Sequence, residues 1–137
     1  MWWTYALLAA FFAALTAIFA KIGIKGVDSD LATAIRTVVI LILAWGIAFF
    51  RGGTSTMNTL TKQNLLFLCL SGVATGLSWI FYFKALQLGR VSQVAPVDKM
   101  SVAFVLILAF IFLGEPMDIK TILGSLLIIG GTIVLIF

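Results

Sequence analysis

Between Val91 and Leu113 runs VSQVAPVDKMSVAFVLILAFIFL, a stretch apolar enough to cross a bilayer that still carries Pro96, Asp98 and Lys99 in its first half. About 20 apolar residues at 1.5 Å each span a hydrocarbon core, so this length and composition predict a transmembrane helix. Asp98 falls roughly 10 Å down the axis from Val91, too deep for a short side chain to reach the interface. Charges at such depth are costly unless they face a bundle interior, a wet cavity or a partner, and by default they mark function. Asp98 and Lys99 are consecutive and project about 100° apart. One is therefore expected to pair with a neighbouring helix while the other faces a cavity. Pro96 removes a backbone donor just before them and invites a kink.

The rest of the chain is of the same kind. Hydrophobic residues make up 63% of its 137 positions and charged residues 10%, which excludes a soluble globular domain. There is no His, and Cys69 stands alone, so neither a metal site nor a disulfide framework is expected, and no cofactor. The net charge of +4 is scattered rather than gathered into a basic run, which argues against a nucleic-acid partner. Without a second deep acid or a nucleophile–base pair, the chain is not expected to be an enzyme.

Hydropathy and punctuation predict an all-α integral membrane domain over 1–137 with five helices, at about 2–22, 31–50, 64–88, 91–113 and 119–137. Trp2, Trp3 and Tyr5 form an interfacial aromatic anchor, and with no basic residues ahead of them the first helix does not read as a cleaved signal. Ala6, Ala9, Ala13, Ala17 and Ala20 give that helix a smooth packing face. Ser29 or Asp30 is expected to cap the second helix, Thr61 the third and Asp118 the fifth. Gly114 and Pro116 stop the fourth. Arg36 lies some 8–9 Å into the second helix. In the third, Ser71, Thr75, Ser78 and Tyr82 recur at i, i+4, i+7 and i+11, one face of a helix; Gly72 and Gly76 lie on an adjoining face continued by Trp79. The hydroxyls either line a cavity or simply bond carbonyls within their own helix.

Loop charges give no clear orientation. The side holding the N-terminus receives Arg51, Lys62 and Lys120, and the opposite side receives Lys21, Lys25 and Arg90, with Arg36 and Lys84 embedded. Orientation normally follows a Lys/Arg excess, which is missing here. Either the chain inserts both ways, giving an antiparallel homodimer of ten helices, or lipid or the insertion machinery chooses a single orientation. Two opposed copies reproduce the inverted repeat of many transporters, with the site near the midplane. Gly124, Gly130 and Gly131 supply a small-residue face on the fifth helix for joining the protomers.

Several stretches resemble an EamA-type domain of the drug/metabolite transporter superfamily. They are Phe81–Tyr82–Phe83–Lys84–Ala85–Leu86, Val94–Ala95–Pro96, Leu113–Gly114–Glu115, the segment from Gly124 to Gly131, and LATAIRT in the second helix. The resemblance covers essentially the whole chain and implies a single five-helix unit of a fold that larger members carry twice, in inverted orientation. It departs from the four-helix small multidrug branch, which has an acidic residue in its first helix. This first helix has none, so proton-coupled cation export of that type is not expected.

The expected function is transport of a small polar metabolite or drug-like solute by alternating access, in a prokaryotic plasma (inner) membrane. Arg36, Thr75, Ser78, Trp79, Tyr82, Asp98 and Lys99 are the candidate substrate-binding residues. Two cations against one deep acid favour a solute with an anionic or zwitterionic group. Arg36 and Asp98 share a depth, so if their helices are neighbours they can pair, either as a structural clasp or as part of the site. The alternatives are flipping of a lipid-linked headgroup and a non-transporting accessory role in a larger membrane complex.

Overall fold

Three helices begin where a side-chain oxygen takes an orphan N–H, and two spans end where a glycine turns left-handed. In the computed structural model, which describes residues 1–137, α1 spans Trp2–Gly23 and α2 spans Ser29–Phe50. The cap of α2 is neither Ser29 nor Asp30 but Asp28. Its extended backbone brings the carboxylate to the N–H groups of Asp30 (2.9 Å) and Leu31 (3.1 Å). Ser29 becomes the first helical residue and is buried. Gly52, at φ 70°, ends α2 and leads into a 3₁₀ stretch over Gly53–Thr59; only glycine adopts that conformation without strain.

Thr61 caps α3 (Lys62–Leu88) by accepting the Asn64 N–H at 3.1 Å. The next span is built from α4 (Val91–Lys99), α5 (Ser101–Leu108) and a wider final turn over Ala109–Leu113. Gly114 closes that turn at φ 66°, donating its N–H to Ala109 O. Asp118 caps α6 (Ile119–Ile136), accepting from the Thr121 N–H at 2.9 Å. Five helical stretches, counting Val91–Leu113 as one, are long and apolar enough to cross a membrane. Every regular element is helical, as a chain must be that satisfies its backbone within each span.

The chain divides into two units, residues 20–87 and residues 1–19 with 88–137. In the first unit the buried residues gather where the α1–α2 connector meets the end of α3: Ile24, Ser29, Thr33, Phe83 and Leu86. Two polar side chains tie this end together. Lys21 Nζ donates to Leu86 O, and Gln87 Nε2 donates to Val27 O at 2.7 Å. The Lys21 contact places a cation on one of the last carbonyls of α3, where the helix dipole favours it.

In the second unit α6 packs against α4 and α5. Gln93 Nε2 of α4 reaches Ile136 O at 3.3 Å, and Thr132 Oγ1 of α6 reaches Pro96 O at 3.2 Å. Residue 93 therefore meets 136 and residue 96 meets 132, so α4 and α6 run antiparallel. Most Leu, Ile and Phe side chains along the spans are exposed, as suits surfaces facing lipid.

Candidate functional site

Arg36 stands eighth in α2, about 10 Å from its start. Its guanidinium carbon lies 4.4 Å from the centre of the Trp79 ring and 5.2 Å from that of Phe83. Trp79 and Phe83 are one turn apart on α3, so both rings present themselves to the same point on the facing helix. A cation over aromatic rings gains from about 0.5 kcal/mol in water to about 2 kcal/mol where water is excluded, and Arg36 lies between, half-buried. Phe83 is 3% exposed and its ring meets that of Tyr82 edge-on, with centroids 6.5 Å apart. Arg36 makes these ring contacts, interacts electrostatically with Tyr82, and forms no salt bridge.

Phe83 was not among the residues singled out by hydroxyl spacing or by charge. Its signal was present: extending the stripe Gly72, Gly76, Trp79 by one more step lands on Phe83. Of the other candidates on α3, Tyr82 is half-buried, and Ser78 and Thr75 are exposed within the protomer. Thr75 donates to Ser71 O at 2.8 Å, the in-helix alternative for that hydroxyl.

Asp98 and Lys99 occupy the last turn of α4. Despite their divergence on the helix, Lys99 Nζ comes within 3.3 Å of Asp98 Oδ2, because the long lysine stem folds back towards its neighbour. The expectation that one would pair with another helix is therefore replaced by a pair within α4. It is an open pair, with the two side chains 60% and 37% exposed. The Asp98 carboxylate is met by Lys99, and the Arg36 guanidinium by the two rings.

One turn after Pro96 the backbone departs from regular α-helix. The Met100 N–H, which in a regular helix would serve Pro96 O, goes instead to Val97 O at 3.0 Å, and Ala103 N–H likewise bonds three residues back, to Met100 O at 3.0 Å. This 3₁₀-like tightening separates α4 from α5. Thr132, 4% exposed, lies at the carbonyl so released: its hydroxyl is 3.2 Å from Pro96 O and 2.8 Å from Ile128 O, sharing one proton between them. Thr132 was also missed from the sequence. Thr121, Ser125 and Thr132 fall on one stripe of α6, and a hydroxyl stripe facing a proline-bearing helix is the signal that could have found it.

Gly124, Gly130 and Gly131 lie on α6 with open space around them; a β-carbon built on any of the three meets nothing within 4 Å. No group of three or more His, Cys, Asp or Glu side chains comes together in a way that could hold a metal ion.

The profile of the EamA-like transporter family matches residues 1–137. The chain belongs to that family. It is an integral membrane protein of the transporter class, as its aromatic-lysine stretch and Gly114–Glu115 corner imply. This EamA-like transporter is 46% identical over 134 residues to an "Uncharacterized transporter in cobO 3'region" of Sinorhizobium sp, an alignment covering 98% of this chain and 95% of the relative. No solved structure matches it.

Proposed function

We propose that this EamA-like transporter works as an antiparallel homodimer. It carries a small polar solute with an anionic or zwitterionic group across a prokaryotic plasma membrane by alternating access. The observation behind this reading is Arg36, a guanidinium within a membrane span held by two rings and in no salt bridge. In hydrocarbon, unmet N–H donors cost several kcal/mol, on the order of the penalty for any unpaired polar group. A solute oxygen meets them; lipid tails do not. Arg36, Trp79 and Tyr82 from α3 and its partner helix, with Ser78 and Thr75 alongside, are the binding residues in this reading, and Asp98 and Lys99 supply a second charged patch.

Two further observations support the dimer. The loop charges are balanced three against three, and the α6 glycines are unoccupied within the protomer. The helix break at Met100, beside Pro96, is a point where the span can bend as access alternates.

Reconstituted dimer should exchange a labelled mixture of amino acids and short carboxylates across liposomes, and Arg36→Gln should abolish that exchange. Reporters fused to the C-terminus and active on one side only should both give signal. Signal from one side alone removes the antiparallel dimer. Flux of a lipid-linked headgroup without soluble flux favours a flippase, and no flux together with obligatory co-purification of another subunit favours an accessory role.

A further inference from the structure

We propose that Trp79 and Phe83 clamp the guanidinium of Arg36 so that its free N–H edge reads an oxyanion with two adjacent oxygens, a carboxylate or a phosphate, with Phe83 acting as a positioning residue. This rests on the transport reading above and names the solute class for the same site.

The inference starts from unmet donors. A guanidinium carries five N–H groups in one plane. Here its neighbours are two rings and the Tyr82 phenol, which interact with positive charge but cannot accept five hydrogen bonds, and it has no salt bridge. The acids of its own unit are engaged elsewhere. Asp28 accepts the Asp30 and Leu31 N–H groups, and Asp30 Oδ1 lies 3.5 Å from the Ser29 hydroxyl.

Ring contact also selects the shape of the ligand. A long arginine side chain in open space samples many orientations, whereas one held against two rings loses that freedom before the ligand arrives, and a preorganised donor set costs less to engage. Phe83 suits this role because it is nearly fully buried, so its ring does not swing away. The planar fork then matches two oxygens held side by side, as in a carboxylate or phosphate, and matches a spherical halide or a neutral amide poorly. Lysine would keep the charge but not the fork.

The phosphate or carboxylate could sit on a soluble solute or on a lipid headgroup, and the test separates them. Trp2, Trp3 and Trp45 are replaced by Phe so that Trp79 alone reports, since the chain has four tryptophans. In the purified dimer, acetate, succinate and inorganic phosphate are titrated against chloride and succinamide at matched ionic strength. In parallel, nanodiscs of phosphatidylcholine are compared with nanodiscs containing phosphatidic acid.

Saturable change in Trp79 emission with the soluble oxyanions supports the proposal with a soluble ligand. The same change only with phosphatidic acid supports it with a lipid ligand. In either arm Arg36→Lys and Phe83→Leu should weaken binding about tenfold or more, the loss of roughly one ring contact or one fork hydrogen bond. Phe83→Tyr should restore it, while all variants keep wild-type helix content. Phe83→Leu binding as wild type overturns the proposal, as does equal response to chloride or succinamide, or no response in either arm. Liposome flux of a neutral or cationic solute would then leave the transporter reading standing without this one; absence of all flux would remove both.

Discussion

Thr132→Val tests the α4–α6 junction most directly. The valine keeps the shape of the side chain and removes only the hydroxyl that lies 3.2 Å from Pro96 O and 2.8 Å from Ile128 O. Ile128 O still has the helix ladder to fall back on. Pro96 O does not, because the Met100 N–H has gone to Val97 O. An interhelical hydrogen bond in a membrane protein is worth about 0.6 kcal/mol on average and up to about 1.7. Leaving a buried acceptor unmet adds to this, within a range of roughly 1–3 kcal/mol. Since Thr132 is 4% exposed, little water can compensate, and a loss of about 1–2 kcal/mol is expected. Two controls isolate the cause. Thr75→Val removes an exposed hydroxyl that bonds only within its helix, and Thr33→Val removes a buried one that does the same; both should stay within about 0.5 kcal/mol of wild type. Thr132→Ser should recover most of the loss. Unfolding by SDS in mixed micelles, followed by circular dichroism, gives the values. A Thr132→Val loss no larger than that of Thr33→Val would refute the argument that the Pro96 carbonyl depends on α6.

Three other outcomes are expected. In the proposed dimer, Gly131→Leu should reduce the dimer fraction in detergent more than Ile128→Leu, because close backbone approach at the open α6 glycines would supply packing that lipid cannot; equal dimer fractions would place the interface elsewhere. Arg36→Gln and Asp98→Asn should lower stability independently, their losses adding within about 0.5 kcal/mol, since Asp98 is paired with Lys99 and Arg36 with rings; partial recovery in the double variant would restore the Arg36–Asp98 pair. The Thr121 hydroxyl, and after it the Thr121 N–H, hold the Asp118 carboxyl below the usual carboxylate value. Its folded value is thus lower than its unfolded one, so its contribution is full above about pH 3.9 and is lost as pH falls through the folded value. Melting measured across that acid range should fall more steeply for wild type than for Asp118→Asn, and parallel curves would show that the cap does not titrate.

Much of this protein was legible in its residues taken one stretch at a time. The spans follow from runs of apolar residues long enough to cross a bilayer, and the caps at Thr61 and Asp118 follow from side-chain oxygens placed just ahead of them. An irregularity in the fourth span follows from the proline inside it. These are local properties, decided by a few neighbouring residues, and the family motifs are local as well. The Asp28 cap was missed by one residue, because three adjacent residues, Asp28, Ser29 and Asp30, can all cap and only backbone geometry chooses among them. Which faces meet was not legible. In a soluble protein the contrast between apolar and polar residues marks the inward face of a helix. In a span it is nearly absent, since lipid is as apolar as the core. Hence the partner of Arg36 was expected to be the one deep acid, whereas the tertiary structure put it against Trp79 and Phe83. Helical periodicity placed those two residues on one stripe; only the packing of α3 beside α2 turned that stripe into a cation site. In the same way, only the antiparallel packing of α6 on α4 brought the Thr132 hydroxyl to the Pro96 carbonyl, which the Met100 N–H had left for Val97 O.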